Sequence, residues 1–247
     1  MVTTYTIVED EVFDLSPISG NLFGTNFVTK FDSEFISGNE FSQLLSDMNV
    51  CNLRYPGGHV TEEDFTRTSF LTGNWDVTQA VDNNGKLASF TPMSQFFGVA
   101  GEINADVTLV LPTRVAFAES AGQALAAGNY GQRTVLDNDY FVNLKAYVDT
   151  ALTEATLNDV NISEFVIGNE FWGSGEMAAS EYGYLAAVTA EWLDSSYPNI
   201  DIVVQATSSA GKFSPLNDSI VYLEPTGGGD YDIHFASEYS GTPPSSW

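Results

Sequence analysis

The segment Glu164-Phe-Val-Ile-Gly-Asn-Glu170-Phe-Trp-Gly173 indicates the fold class of this chain most clearly. Its apolar residues run without alternation into an asparagine and a glutamate, and two aromatic residues and a glycine follow. A strand with this pattern is buried on both faces, which is typical of a parallel sheet covered by helices. In such sheets the loops at the carboxyl ends of the strands converge on one edge, where functional residues collect.

Apolar runs of the same kind recur along the chain, with helical patterns between them. The predicted strands cover residues 21–28, 50–55, 107–111, 164–167, 200–204 and 232–237. Between them apolar residues recur at helical spacing, as in Leu144, Val148 and Leu152. This alternation predicts either a doubly wound sheet or a (β/α)8 barrel. We expect an α/β fold, an incomplete (β/α)8 TIM barrel with about six of its eight βα units, in one domain spanning residues 1–247.

Local signals predict where two of the helices begin. Ser37 and Glu40 have the spacing of a capping box. The helix that follows carries its apolar residues on one stripe toward a core, at Phe41, Leu44, Leu45 and Met48. Thr91 directly before Pro92 predicts a second helix start, and this helix is expected to end near Gly101. Residues 59–90, between the two helices, are predicted as one long polar loop.

The charge balance excludes two classes of partner. The 247 residues contain 8 Lys+Arg and 33 Asp+Glu, so the formal net charge is −25. A surface this acidic repels nucleic-acid phosphates and anionic lipid headgroups, and we expect neither nucleic acid nor membrane as a partner. Apolar residues make up 43% of the chain and aromatic residues 13%, which is enough for a packed core.

Cysteine and histidine are scarce. The chain contains one cysteine, Cys51, and two histidines. A single cysteine excludes an internal disulfide and a cysteine-based zinc site, and two histidines are too few for a transition-metal site. We therefore expect no metal and no cofactor. No apolar run approaches the roughly 20 residues that a spanning helix needs, and residues 1–10 show no signal peptide.

Glu170 is the first candidate for chemistry. A carboxyl group that closes an apolar strand is placed to donate a proton and then to regain it. The adjacent Asn169 offers both a donor and an acceptor, and Trp172 offers a flat apolar face with an indole N–H at its edge. These groups suit a sugar ring and its hydroxyls. The alternative is a solvated Glu170 that caps the following helix.

Arg54 is the second candidate. It is one of only 8 basic residues, and it stands at the end of the second predicted strand, before Pro56-Gly57-Gly58. A guanidinium group at a strand end needs a carboxylate or a polar ligand, and paired glycines let the backbone approach a ligand closely. The alternative is an arginine in a structural ion pair. Other polar residues at predicted strand ends are Asn26, Thr113, Arg114, Gln205 and Tyr239.

Together these segments resemble the retaining glycoside hydrolases that use a (β/α)8 barrel with catalytic glutamates after strands four and seven. Leu53-Arg-Tyr-Pro-Gly-Gly58 is similar to the second-strand motif of α-L-arabinofuranosidases. Ile167-Gly-Asn-Glu170 is similar to the fourth-strand acid/base motif of those enzymes and of heparanase-type β-glucuronidases. Asp232 followed by Tyr239 resembles the sixth-strand pattern of the same clan.

The resemblance implies a role for each matching residue. Glu170 would be the general acid/base, Asn169 would bind the sugar's 2-hydroxyl, and Arg54 would lie beside the nucleophile. Tyr239 would donate a hydrogen bond to that nucleophile. Trp172, His59 and Asn26 complete the predicted substrate-binding set.

Two positions depart from the family pattern. His59 stands where arabinofuranosidases usually have asparagine, which leaves the sugar open. Ser237 stands where the sixth-strand pattern usually has histidine, which weakens the assignment of Tyr239.

A retaining mechanism needs a second carboxyl group about 5–5.5 Å from the first. By the resemblance this nucleophile would follow a seventh strand beyond Trp247, so we expect the 247 residues alone to bind sugar without turning it over. The expected substrate is a plant-type or algal polysaccharide or oligosaccharide, in an extracellular setting. Two alternatives remain: a non-catalytic carbohydrate-binding or scaffold barrel, and a doubly wound protein that binds a small anion.

Overall fold

The computed structural model of the protein describes residues 24–26, 38–58, 60–63, 91–173, 175–205 and 234–236. Within them lies one parallel sheet of six strands, whose spatial order is the order of the sequence. The strands are β1 Gly24–Asn26, β2 Asn52–Tyr55, β3 Asp106–Leu111, β4 Ile162–Ile167, β5 Asp201–Gln205 and β6 His234–Ala236. The α/β class and the parallel sheet are therefore confirmed, and each strand overlaps the run predicted for it.

Helices follow the strands along the chain. They are α1 Glu40–Asp47, α2 Val60–Glu63, α3 Met93–Ile103, α4 Ala121–Ala127, α5 Tyr140–Leu157 and α6 Ala179–Ser196. Between consecutive strands from β1 to β5, these helices supply the crossovers that parallel neighbours require. Because successive strands are also neighbours in the sheet, every described crossover advances by one strand in the same direction.

The two faces of the sheet are built differently. Alternate residues of β2, β3 and β4 share one large core with apolar residues of α3, α5 and α6, so these three helices cover the same face. These strand residues are Leu53, Tyr55, Val107, Leu109, Leu111, Phe165 and Ile167. The opposite face carries a separate small buried cluster of Val110, Val166 and Val203. A doubly wound sheet needs helices on both faces and a reversal of strand order, and the described residues show neither.

Polar side chains occupy the valine face near the start of the strands. The Thr108 hydroxyl lies 3.0 Å from Asn52 Oδ1 and 3.3 Å from Glu164 Oε2, so it links β2, β3 and β4. The pairing of β3 with β4 shifts register between Val107 and Thr108. At this shift Asn52 Nδ2 donates to Ser163 Oγ at 3.3 Å.

The first helix differs from its prediction at both the cap and the apolar stripe. Its N-cap is Asn39, whose Oδ1 accepts hydrogen bonds from the backbone N–H groups of Phe41 and Ser42, each at 3.0 Å. The capping box of Ser37 with Glu40 was therefore wrong. Leu44 and Met48 are 56% and 71% exposed. The predicted stripe is too wide because only the row containing Leu45 faces α3, on which α1 packs.

The second predicted helix start and the long loop also need correction. Helix α3 begins one residue after Pro92 and continues to Ile103, because Asn104 rather than Gly101 adopts the left-handed conformation that ends it, with φ 55°. The predicted loop of residues 59–90 begins instead with α2, and residues 64–90 lie outside the described part of the chain. Helix α4 was not predicted, although Ser120 and Gln123 form a capping box at its start.

Candidate functional site

Arg54 joins three strand ends at the carboxyl edge of the sheet. Its Nη2 donates to Asn169 Oδ1 at 3.0 Å, and its Nη1 lies 3.3 Å from Asn26 Oδ1. Asn26 ends β1, Arg54 lies in β2 and Asn169 follows β4. The guanidinium group therefore reaches across the end of β3, which separates β2 from β4 in the sheet. The structure brings these three predicted site residues together, and their role in binding stays a prediction.

Asn169 is buried, with 2% of its surface exposed, and the backbone around it is closely packed. A Cβ atom built on Gly58 would lie 3.3 Å from Asn169 Oδ1. The glycine pair after β2 was predicted to let the backbone approach a ligand. In the structure Gly58 lets the backbone approach the Asn169 side chain closely.

Glu62 is the residue that sequence reasoning missed. It lies in α2 with no exposed surface, and its carboxylate accepts four hydrogen bonds. Oε1 accepts from the Thr113 hydroxyl at 2.7 Å and from Asn169 N at 2.9 Å. Oε2 accepts from Thr113 N at 2.9 Å and from Arg114 N at 2.7 Å. Burial raises the pKa of Glu62, and the four hydrogen bonds oppose that rise in part.

Nothing local in the sequence marks Glu62. It stands in a polar segment beside a second glutamate, and its four donors come from positions 51 to 107 residues away. The nearest available signal is the apolar Val60 just ahead of it, which predicts some burial but no partner.

Glu170 lies on an unusual backbone. Its φ is +43°, and Gly168, two residues earlier, has φ +74°. The Glu170 carbonyl accepts hydrogen bonds from Gly173 N at 2.8 Å and Gly175 N at 3.2 Å, which closes a tight turn after β4. The Glu170 side chain is half-buried, and its Oε2 would lie 3.9 Å from a Cβ built on Gly173.

The next helix does not begin at Glu170. Helix α6 starts at Ala179, and the carboxylate at its first turn is Glu181, whose Oε2 accepts from Ala178 N at 2.9 Å. The alternative in which Glu170 caps the following helix is therefore wrong.

Trp172 is half-buried and packs on the core side of this turn. Its ring meets Phe171 edge-on, with centroids 5.0 Å apart and planes at 82°. Phe171 in turn stacks on Tyr182 at 4.3 Å and 6°. This packing fixes the indole after β4, and its contact with a sugar ring stays a prediction.

No protein-family model matches the sequence, and no curated protein matches it. Among solved structures, the chain is similar to a family 51 α-L-arabinofuranosidase from Bifidobacterium longum. Identity is 15% and the TM-score 0.48, over 83% of this chain and 40% of that one.

Two further solved structures are α-L-arabinofuranosidases. The enzyme from Thermotoga maritima, in complex with arabinose, shows 18% identity and a TM-score of 0.39, over 68% of this chain and 33% of that one. The family 51 enzyme from Thermotoga petrophila shows 19% identity and a TM-score of 0.42, over 78% of this chain and 41% of that one. The chain thus spans between 33% and 41% of the length of these three solved chains.

The other polar strand-end residues have structural partners. Gln205 Nε2 donates to the carbonyl of Ile167 at 3.0 Å, which ties β5 to β4. Arg114 forms an ion pair with Glu176 at 2.5 Å, and both side chains are partly exposed. His59 and Tyr239, both assigned to substrate binding, lie outside the described residues.

Among the described residues, no group of three or more His, Cys, Asp or Glu side chains is placed to hold a metal ion. No described helix is both long and apolar enough to cross a lipid bilayer.

Proposed function

We propose that this chain forms part of the active site of a retaining glycoside hydrolase, with Glu170 as the general acid/base. The contact between Arg54 Nη2 and Asn169 Oδ1, at 3.0 Å, carries this proposal. It joins the two segments on which the resemblance rests, and the carboxylate assigned to catalysis is the next residue along the chain. Residues 115 positions apart meet at the edge of the sheet where parallel α/β folds bind ligands.

The donors and acceptors at this edge suit a sugar. The Asn169 side chain accepts from Arg54 through its oxygen and also carries an amide NH2 group, a type of donor that suits a sugar hydroxyl. Glu170 is half-buried, an environment in which a carboxyl group can exchange a proton with a glycosidic oxygen. Trp172, His59, Asn26 and Tyr239 are proposed to complete the binding site.

A (β/α)8 barrel is the architecture that we propose. Six parallel strands in sequential order, with three helices packed on one face, support it. The small valine cluster on the other face would then belong to the barrel interior. Retaining hydrolysis needs a second carboxylate as nucleophile, which we assign to no residue of 1–247 and expect after a seventh strand. The proposed substrate is a polysaccharide or oligosaccharide in an extracellular setting.

The acid/base role is tested with Glu170→Gln in the natural full-length protein. Without a general acid, cleavage should slow most for substrates whose leaving group needs protonation, by about a hundredfold to ten-thousandfold. Hydrolysis of an unactivated oligosaccharide should therefore nearly cease, whereas the first step on a dinitrophenyl glycoside should persist. Added azide should restore turnover of the dinitrophenyl glycoside and yield a glycosyl azide of retained configuration.

The matched control is Glu191→Gln, which removes an exposed carboxylate from α6. It should leave both rates unchanged. If Glu170→Gln hydrolyses the unactivated oligosaccharide at the rate of the unmodified protein, Glu170 is not the acid/base. Binding of sugar without turnover by the unmodified full-length protein would instead support the non-catalytic carbohydrate-binding barrel.

A further inference from the structure

Glu62 connects three loops at the carboxyl edge of the sheet. Its helix, α2, follows β2, and its four donors belong to the residues that follow β3 and β4. Three of the donors are backbone N–H groups and the fourth is the Thr113 hydroxyl. A buried carboxylate with this many donors fixes the backbone that supplies them, because each N–H left without an acceptor would cost free energy.

The four donors around Glu62 require a carboxylate group at this position. Each of its two oxygens accepts two hydrogen bonds, which uses all four lone-pair sites. Glutamine has the same shape but would turn an NH2 group toward two donors. Aspartate would be one methylene short of the same partners.

The Glu62 carboxylate supports the turn that carries Asn169 and Glu170. Asn169 N donates directly to it, and Gly168 packs against it so closely that a Cβ there would lie 3.0 Å from Glu62 Oε1. The backbone on both sides of the Gly168–Asn169 peptide therefore rests on Glu62. From this backbone the Asn169 side chain reaches Arg54, and Glu170 follows.

We infer that Glu62 is a positioning residue for the proposed active site, which sets Asn169 and Glu170 against Arg54. The inference rests on the proposed function. Glu62 has no exposed surface, so it cannot touch a substrate and acts only through the residues that it holds. A misplacement of about 1 Å in such a turn can cost about a hundredfold in rate.

Two variants test the inference. Glu62→Gln places an amide against two donors, and Thr113→Val removes only the hydroxyl donor and keeps the shape of the side chain. The control is Glu181→Gln, because Glu181 is equally buried and also accepts bonds from backbone N–H groups, but holds Arg133 rather than Asn169. The two variants and the control are all measured under conditions where circular dichroism shows a folded chain.

The first readout is the ¹⁵N NMR signal of the Asn169 side-chain amide and of the Arg54 guanidinium. We expect both signals to move in Glu62→Gln and in Thr113→Val and to stay in place in Glu181→Gln. If they stay in place in the folded Thr113→Val and Glu62→Gln chains, Glu62 does not position the contact and the inference is overturned. Should Glu62→Gln fail to fold, Thr113→Val alone decides.

The second readout is steady-state hydrolysis of an aryl glycoside by the natural full-length protein. We expect kcat to fall about a hundredfold in Glu62→Gln and about tenfold in Thr113→Val, with KM nearly constant, and kcat to be unchanged in Glu181→Gln. Equal losses in all three variants would mean a general loss of structure and would contradict positioning.

The two readouts separate this inference from the proposed function. If the unmodified protein hydrolyses no glycoside, the proposed function fails, and the NMR signals still decide whether Glu62 holds the contact between Asn169 and Arg54.

Discussion

Gly168 and Glu170 both have positive φ angles on either side of the buried Asn169. A left-handed backbone costs a non-glycine residue about 1 kcal/mol or more, and such residues cluster at functional sites. Glu170 keeps this conformation while its carbonyl accepts two hydrogen bonds within the turn. The turn thus directs two consecutive side chains, Asn169 toward Arg54 and Glu170 beside Gly173, which a regular strand end would not do.

Gly168 should tolerate no side chain. A Cβ there would lie 2.6 Å from Thr113 Oγ1 and 3.0 Å from Glu62 Oε1, in addition to the strain at φ +74°. We expect Gly168→Ala to lower the free energy of unfolding by about 3 kcal/mol, measured by urea titration.

The matched control is Gly128→Ala. Gly128 has φ +77°, and a Cβ there would meet no atom within 4 Å, so only the backbone strain applies. We expect Gly128→Ala to lower the free energy of unfolding by about 1 kcal/mol. Equal losses in Gly128→Ala and Gly168→Ala would show that the contact with Glu62 and Thr113 does not constrain the turn.

For individual residues, the sequence predicted which ones belong to the site but seldom which other residues they contact. Asn26, Arg54, Asn169 and Glu170 were predicted as site residues because they stand at the carboxyl ends of predicted strands, where functional residues collect in parallel α/β folds. Glu62 was missed because its importance comes from four distant donors, which no spacing in the sequence reveals.

Among the elements, α3 and the end of α5 approach closely at Gly101. A Cβ on Gly101 would lie 2.3 Å from the carbonyl oxygen of Asn158, the residue that ends α5. Because that oxygen belongs to the backbone, neither side chain rotation nor a small local shift can relieve the contact. Glycine at this position lets two helices of the core pack at short distance.

Gly101→Ala should therefore destabilise the fold, although alanine favours helices. We expect a loss of about 2–4 kcal/mol in the free energy of unfolding. Gly122→Ala, in the exposed part of α4 with no atom within 4 Å of the added Cβ, should stabilise by up to about 1 kcal/mol. Thermal unfolding of both variants measures these changes in stability. If Gly101→Ala leaves the stability unchanged, α5 moves freely away from α3.

The elements themselves were largely predictable. Strands β3 and β4 are buried on both faces, so their apolar runs are continuous and easily found. The errors lie at helix ends and on exposed helix faces. In α1, Leu44 and Met48 fit an apolar stripe, but the packing on α3 covers only the row of Leu45.

Across the whole molecule, a buried ion pair ties the connection between β3 and α5 to the first turn of α6. Arg133, in the connection between β3 and α5, donates to both carboxylate oxygens of Glu181 at 2.7 and 2.8 Å. Its guanidinium group also lies over the Phe117 ring, 4.8 Å from the centroid. Burial by itself raises the pKa of Glu181, but hydrogen bonds from Arg133 and from backbone N–H groups outweigh burial and hold the pKa below its ordinary value.

Replacing Glu181 by Gln should cost about 3 kcal/mol at neutral pH, because a buried guanidinium loses its charged partner. The lowered pKa means that the stabilisation is present above the ordinary carboxyl pKa and is lost as the pH falls through the folded-state value. The difference in unfolding free energy between the unmodified chain and Glu181→Gln should therefore shrink on acidification. Urea titrations at neutral and acidic pH measure this difference in unfolding free energy. A difference that stays constant with pH would contradict the ion pair with Arg133 as its cause.

The amino-acid sequence was sufficient for the α/β class with a parallel sheet, the strand positions and the residues at three of the strand ends. These properties depend on neighbouring residues, because a strand buried on both faces needs consecutive apolar side chains and ends where they stop. The tertiary structure alone decided which strand ends meet, which face the helices cover and which carboxylate holds the turn after β4. Those contacts join residues up to 115 positions apart, and they depend on strand order and loop path, which local patterns do not encode.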